Sequence, residues 1–197
     1  RRMMGIGAQM RDFGKSMLVC RLAHEQPHQH TAWEWFGYGR TLAMLPLPGD
    51  QCSAVITLPP QGIQELMAMD DAAFGEAVTG FFEQRLGRMR PVGTRHAYPL
   101  VGVYAHRFAG HRYALAGDAA VGMHPVTAHG FNFGLQSQQR LVKEVAAARG
   151  GDIGASAVLA RYERAHRLAT RPLYEATNAI AALYNDSRLP ARLLRGA

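Results

Sequence analysis

The chain has 197 residues, 48% hydrophobic, 19% charged and 9% aromatic, with a mean hydropathy of -0.14, which excludes a disordered or fibrous chain. No apolar run approaches the roughly 18 to 20 residues of a membrane-spanning helix. Twenty-two Lys and Arg against fifteen Asp and Glu give a net +7, with six Arg and no acid between Arg85 and Arg112. Such a field draws nucleic acid, anionic lipid or cofactor phosphates alike, or is simply a solvated basic face. Tyr98, Tyr104 and Phe108 are spaced as strand residues rather than as a stacking platform, which argues against nucleic acid.

The opening Arg1-Arg2-Met3-Met4 has neither the apolar core nor the cleavage site of a secretory signal, so the chain is expected to begin inside a longer, cytoplasmic protein. Lys15 to Leu22 is a short apolar strand, and Thr31 to Arg40 alternates bulky and polar residues at strand period. Between Cys20 and Cys52 there is no CxxC spacing, so neither a disulfide framework nor a zinc knuckle is expected. His24, His28 and His30 form an HxxxHxH pattern and are expected as solvent-facing loop residues with no metal. Two apolar runs flanking Pro48-Gly49-Asp50 predict a β-hairpin. On its first strand Met44 and Pro46 share a face that either roofs a substrate or packs into the core.

Helix replaces strand after Pro60. Asp70-Asp71 opens a second helix whose stripe Phe74, Val78, Phe81, Phe82 and Arg85 leads to a stop at Gly87. Short strands are predicted over 94–100 and 111–116, then a helix over 131–149 ending at Gly150-Gly151. A last helix from near Ala155 carries one continuous seam, Leu159, Tyr162, His166, Ala169, Leu173, Ala176, Ile180 and Leu183, with a kink expected at Pro172. Gly5-Ile6-Gly7-Ala8-Gln9-Met10 is only a decoy for a dinucleotide loop, with no strand before it and no third glycine.

The chemistry concentrates in Leu115 to Leu135, LAGDAAVGMHPVTAHGFNFGL: a strand, a glycine-bearing loop and a helix start near Gly130. Unpaired N–H groups at a helix start hold an anionic ligand atom without a cationic side chain. Asp118 is a carboxylate suited to ligand hydroxyls, while Gly117, Gly122, Gly130 and Gly134 let backbone approach a flat ligand and Pro125 stiffens the loop.

This GDAAxxxHPxxxxGxNxGL pattern resembles the second flavin-binding motif of the class A FAD-dependent aromatic hydroxylases, in their ubiquinone-biosynthesis branch. WEWFGYGRTLAMLPLPGDQCSAVITLP resembles that branch's middle sheet, and the segment from Tyr162 to Tyr184 its final long helix. The resemblance implies an α+β fold: a mostly antiparallel substrate-domain sheet with helices over 1–110, then the GD strand-loop-helix part of an FAD-binding domain over 111–197. Asp118, with Gly117, would bind the ribityl hydroxyls of FAD, and Pro125 would lie against the flavin ring. The N–H groups of Gly130, Phe131 and Asn132 would face its N1 and C2 carbonyl.

The implied activity is hydroxylation of a polyprenylated phenol or quinol with NAD(P)H as reductant and O2, and Met44 and Pro46 would face that substrate. A substrate with so long a tail implies peripheral contact with the inner membrane, through the Arg85 to Arg112 stretch and Arg188, Arg192 and Arg195. The chain departs from the family pattern at Val121 (often His), at Ala128-His129 (Gly-Gln) and near Ser137 (Asp). It also lacks the N-terminal GxGxxG unit, so weak or no FAD binding is expected of this segment alone. Two alternatives stand beside this reading: a non-catalytic interaction module of a quinone-biosynthesis complex, and a flavin hydroxylase of a soluble phenol.

Overall fold

A computed structural model of the chain describes residues 1–37, 39–125 and 129–185. It is α+β and divides into two compact units, one of residues 14–100 and one of 1–13 with 101–197. The sequence reading placed a single division at residue 110. The structure divides twice because strands β1 (Ala8–His24) and β5 (Met89–Ala105), each of 17 residues, run from one unit into the other.

In the 14–100 unit, β2 (Trp33–Gly37), β3 (Arg40–Leu47) and β4 (Gln51–Leu58) join β1 and β5 in the order β2-β3-β4-β1-β5. The expected hairpin is β3–β4, closing at the Leu47↔Gln51 pair with Gly49 at φ 71° in the turn. That left-handed conformation is what glycine tolerates there. Pairing of β1 with β4 sets Leu22 opposite Cys52 and Cys20 opposite Ala54, so strand alternation puts Leu18, Cys20, Leu22, Leu42, Met44, Cys52, Ala54 and Ile56 into one core. Helices α1 (Pro60–Ala68) and α2 (Asp71–Phe81) complete that core with Ile63, Leu66, Phe74 and Val78. Desolvation pushes the Cys20 thiol up to about 12 and the Cys52 thiol to about 11, leaving both as packing groups.

Asp70 caps α2, its carboxylate accepting the Ala73 N–H at 2.8 Å. The helix is shorter than its stripe suggested: it ends at Phe81, and Glu83 and Gln84 take φ of 54° and 56°, turning the chain before Gly87. Phe82 still packs in the core. The Thr79 hydroxyl donates to Gly75 O (2.7 Å) and accepts the Met89 N–H (2.9 Å), drawing α2 against the start of β5. A Cβ on Gly75 would stand 2.5 Å from Met89 O, so only glycine fits. Arg95 lies 4.8 Å over the Phe74 ring and donates to Leu66 O, a free carbonyl at the end of α1.

Two of the three histidines expected in solvent are buried. The His28 Nε2 donates to Leu47 O (2.9 Å) and Gly49 O (3.1 Å), while its Nδ1 accepts the His30 N–H (3.0 Å). One nitrogen therefore binds the β3–β4 turn and the other the loop between β1 and β2. Among the described residues no group of His, Cys, Asp or Glu is arranged to hold a metal ion.

In the other unit β8 (Val121–Gly122) pairs with the end of β5 through Val103↔Gly122 and Tyr104↔Val121, and β6 (Ala109–Gly110) and β7 (Tyr113–Ala114) form a short hairpin. Helix α3 (Gly130–Ala147) packs on α4 (Ser156–Asn185). Gly7 meets His106: a Cβ there would lie 3.1 Å from its Nδ1, and Gly7 O accepts the His106 N–H. The GxG decoy is thus used for packing.

The α4 seam differs from its apolar reading. Tyr162, His166, Thr170, Tyr174, Thr177 and Asn178 are buried, whereas Ala169, Ala176 and Ile180 are exposed and Leu173 is half-buried. Helical steps of four residues carry the stripe through polar positions, and some of those groups find partners inside: Thr170 Oγ1 donates to His166 O and meets the Tyr104 hydroxyl at 3.2 Å. The Leu183 side chain lies outside the described part.

Candidate flavin-ring wall

The site is built on the chain between β7 and α3. After β7, Leu115 is buried, and Gly117–Ala119 forms a single 3-10 turn that Gly117 enters at φ 57°. The Ala120 N–H closes this turn on Gly117 O at 3.0 Å. Asp118 sits on the turn's outer side, exposed, with no hydrogen bond or ion pair among the described residues. A carboxylate so placed is an acceptor open to ligand hydroxyls.

Helix α3 starts at Gly130 with no side-chain cap, and its first closing bond is Phe133 N–H to His129 O at 2.9 Å. The N–H groups of Gly130, Phe131 and Asn132 have no acceptor among the described residues, and a Cβ on Gly130 would meet nothing within 4 Å. This helix mouth carries the positive end of an 18-residue dipole. Phe131 is 78% exposed. Pro125 is exposed too, and beside it the His124 ring stands edge-on to Phe13 with centroids 4.7 Å apart. Ala128 lies outside the described residues, and among them the buried Nδ1 of His129 has no partner.

Gly117, Asp118, Gly130, Phe131 and Asn132 thus belong to one turn and one helix start that touch. A Cβ on Gly117 would lie 3.9 Å from Gly134 Cα, so backbone meets backbone there. An exposed carboxylate and helix N–H groups, both without partners among the described residues, and a glycine in the left-handed region supply donors and acceptors of the kind a flavin's hydroxyls and carbonyl edge need. Met44 and Pro46 belong to the other unit. They share a face, but it is the core face: Met44 is wholly buried and receives the Cys52 Sγ–H on its Sδ at 3.7 Å. Core packing accounts for Met44. A cleft of about 640 Å³ in that unit is lined by Ala23, His24, Glu25, Gln51, Arg88 and Arg90, among others, and by none of the expected site residues.

Sequence reasoning missed the residues that hold the turn. Ser137 Oγ accepts the Gly117 N–H (3.1 Å) and donates to Gly134 O (2.7 Å), and the Tyr162 hydroxyl donates to Leu115 O at 2.6 Å. Burial pushes the Tyr162 phenol up to about 12, so it stays a donor. The available signal was the departure from the family's Asp at Ser137.

The FAD binding domain family matches residues 9–177. The chain belongs to that family. A ubiquinone hydroxylase (UbiM) of Neisseria meningitidis is 47% identical over 198 residues, covering 100% of this chain and 43% of that protein. A second ubiquinone hydroxylase (UbiL), of Rhodospirillum rubrum, is 36% identical over 97% of this chain and 45% of its own length. This member of the family therefore spans less than half the length of these two relatives. Among solved structures, Klebsiella pneumoniae HpxO complexed with FAD and uric acid aligns with a TM-score of 0.69 at 17% identity, over 96% of this chain and 49% of that one. At that identity the likeness supports the fold, with its antiparallel sheet and helices.

Proposed function

We propose that this chain is the flavin-ring wall and substrate-side half of an FAD-dependent monooxygenase that hydroxylates the ring of a polyprenylated ubiquinone precursor. The observation that carries the reading is the contact of the turn bearing Asp118, a carboxylate with no partner among the described residues, with α3 at Gly134, in a chain whose relatives include ubiquinone hydroxylases. FAD, reduced by NAD(P)H, would supply the O2 chemistry. Asp118 would accept hydrogen bonds from ribityl hydroxyls and fix the ring's register. The N–H groups of Gly130, Phe131 and Asn132 would face the N1 and C2 carbonyl edge, where the α3 dipole favours the negative charge of the reduced ring. Pro125, exposed and rigid, would bear on the ring's flat side.

No described helix is long and apolar enough to cross a membrane. Contact with the bilayer is proposed as peripheral, by arginines left over from structural work. Arg85 lies over Trp35, Arg95 over Phe74, and Arg88 and Arg112 pair with Glu25 and Asp152. Arg90 and Arg107 are exposed and carry no such contact among the described residues, whereas Arg188, Arg192 and Arg195 lie outside them.

The test is the visible spectrum of the longest protein its gene encodes. Flavin peaks in that protein, with at least tenfold weaker FAD retention on Asp118→Ala, are expected. A colourless protein would sink the enzyme reading in favour of a non-catalytic module, and an enzyme active on short-chain phenols alone would replace the polyprenyl substrate.

A further inference from the structure

We infer that Ser137 is the positioning residue of the flavin wall: it holds Gly117 in its left-handed conformation and so aims Asp118, a carboxylate with no partner among the described residues. The inference rests on the flavin reading above. Ser137 is wholly buried, yet its single hydroxyl serves two backbone groups from different elements: the Gly117 N–H at 3.1 Å in the turn and Gly134 O at 2.7 Å in α3. Those are the same two glycines whose backbones touch. One oxygen thus ties the turn bearing Asp118 to the helix whose first N–H groups would face the flavin. The spacing between the carboxylate and the helix mouth is set there.

Tyr162, on α4, acts on the same segment two residues upstream through its bond to Leu115 O. A hydroxyl is required at position 137 because the site needs an acceptor for one backbone group and a donor for the other. Alanine supplies neither and leaves Gly117 N–H unsatisfied. A carboxylate accepts but cannot donate to Gly134 O when ionised, and threonine keeps both functions. Removing a buried partner at a bond of this kind costs about tenfold in an equilibrium constant, and here the cost falls on ligand retention because the freed backbone carries Asp118.

The experiment measures FAD dissociation constants and flavin fluorescence quenching in the full-length holoprotein, for wild type, Ser137→Ala, Ser137→Thr and Val158→Ala. Val158 is a buried α4 residue with no role in the clamp, so its variant controls for lost stability. The expected result is FAD held about tenfold more weakly in Ser137→Ala. Retention should return in Ser137→Thr and stay near wild type in Val158→Ala at a matched loss of melting temperature. The Gly117 amide should also exchange faster in Ser137→Ala. Equal FAD retention by Ser137→Ala and wild type overturns the inference alone, as does an equal loss in Val158→Ala. A wild-type protein that holds no flavin overturns the flavin reading and this inference with it.

Discussion

The two units bury different kinds of core. That of residues 14–100 is almost wholly apolar, with Leu18, Leu22, Leu42, Met44, Ile56, Phe74, Val78 and Phe82 in one cluster. In the other, Tyr104, Tyr162, Tyr174, Ser137, His166, Thr170 and Asn178 are buried together with a smaller apolar set. An apolar core is held by close packing and tolerates any side chain of the right volume. A polar core is held by partners at fixed distances, which costs more to build and specifies backbone position more tightly. The unit bearing the GD turn has the second kind, and the bonds to Gly117 N–H and Leu115 O come from it.

Truncation in the apolar core sharpens this comparison most. Phe74 is fully buried, Arg95 lies over its ring, and cutting such a side chain to alanine removes both apolar burial and packing. Phe74→Ala should cost about 3–5 kcal/mol in urea denaturation, whereas Phe74→Leu, which restores much of the volume, should recover most of it. A Phe74→Leu protein as unstable as Phe74→Ala would mean that this core, too, depends on specific geometry.

The next effect belongs to the polar core. Because the guanidinium of Arg140 can only donate, His166 Nδ1 at 3.2 Å from its Nη1 must be the acceptor, and the proton sits on Nε2, buried without a partner. Burial first, and the Arg140 charge second, push the imidazole down from 6.5 to about 4. The folded protein thus resists a proton that the unfolded chain accepts. Stability should hold above pH 6.5, fall as pH drops toward about 4 and level off below it for this group. Melting temperature against pH for wild type and His166→Leu checks this. The variant should lose that limb of the profile whatever its baseline, and parallel profiles would show that His166 does not titrate there.

These two cores also explain what was legible in the sequence. Alternation and helical spacing read the sheet, α1, the Asp70 cap and the β3–β4 hairpin, because apolar burial writes itself as periodicity. The same logic stretched α2 to Arg85, since Phe82 is buried yet lies in the turn, and it put Ala169, Ala176 and Ile180 in a seam that runs instead through Thr170, Tyr174 and Thr177. The motif from Gly117 to Asn132 was readable as a turn and a helix start. Ser137 and Tyr162 were not, because a hydroxyl's worth depends on which backbone group it meets across about 20 and 47 residues of chain.

The smallest effect tests whether the basic surface contributes to either core. Arg88 pairs with Glu25 through its Nε at 2.9 Å, and the same carboxylate accepts the Arg88 N–H at 3.1 Å. Those bonds hold the Glu25 carboxyl below its ordinary range, so Glu25 stays ionised at neutral pH. Yet the Arg88 side chain is 89% exposed, water and salt screen the pair, and ordering two long side chains offsets its attraction. The backbone half of the contact does not need the guanidinium at all. Arg88→Ala should therefore leave the urea midpoint unchanged within error, at low and at high salt. A drop that disappears at high salt would show that charge pairing at the surface, and not packing alone, holds the apolar unit together.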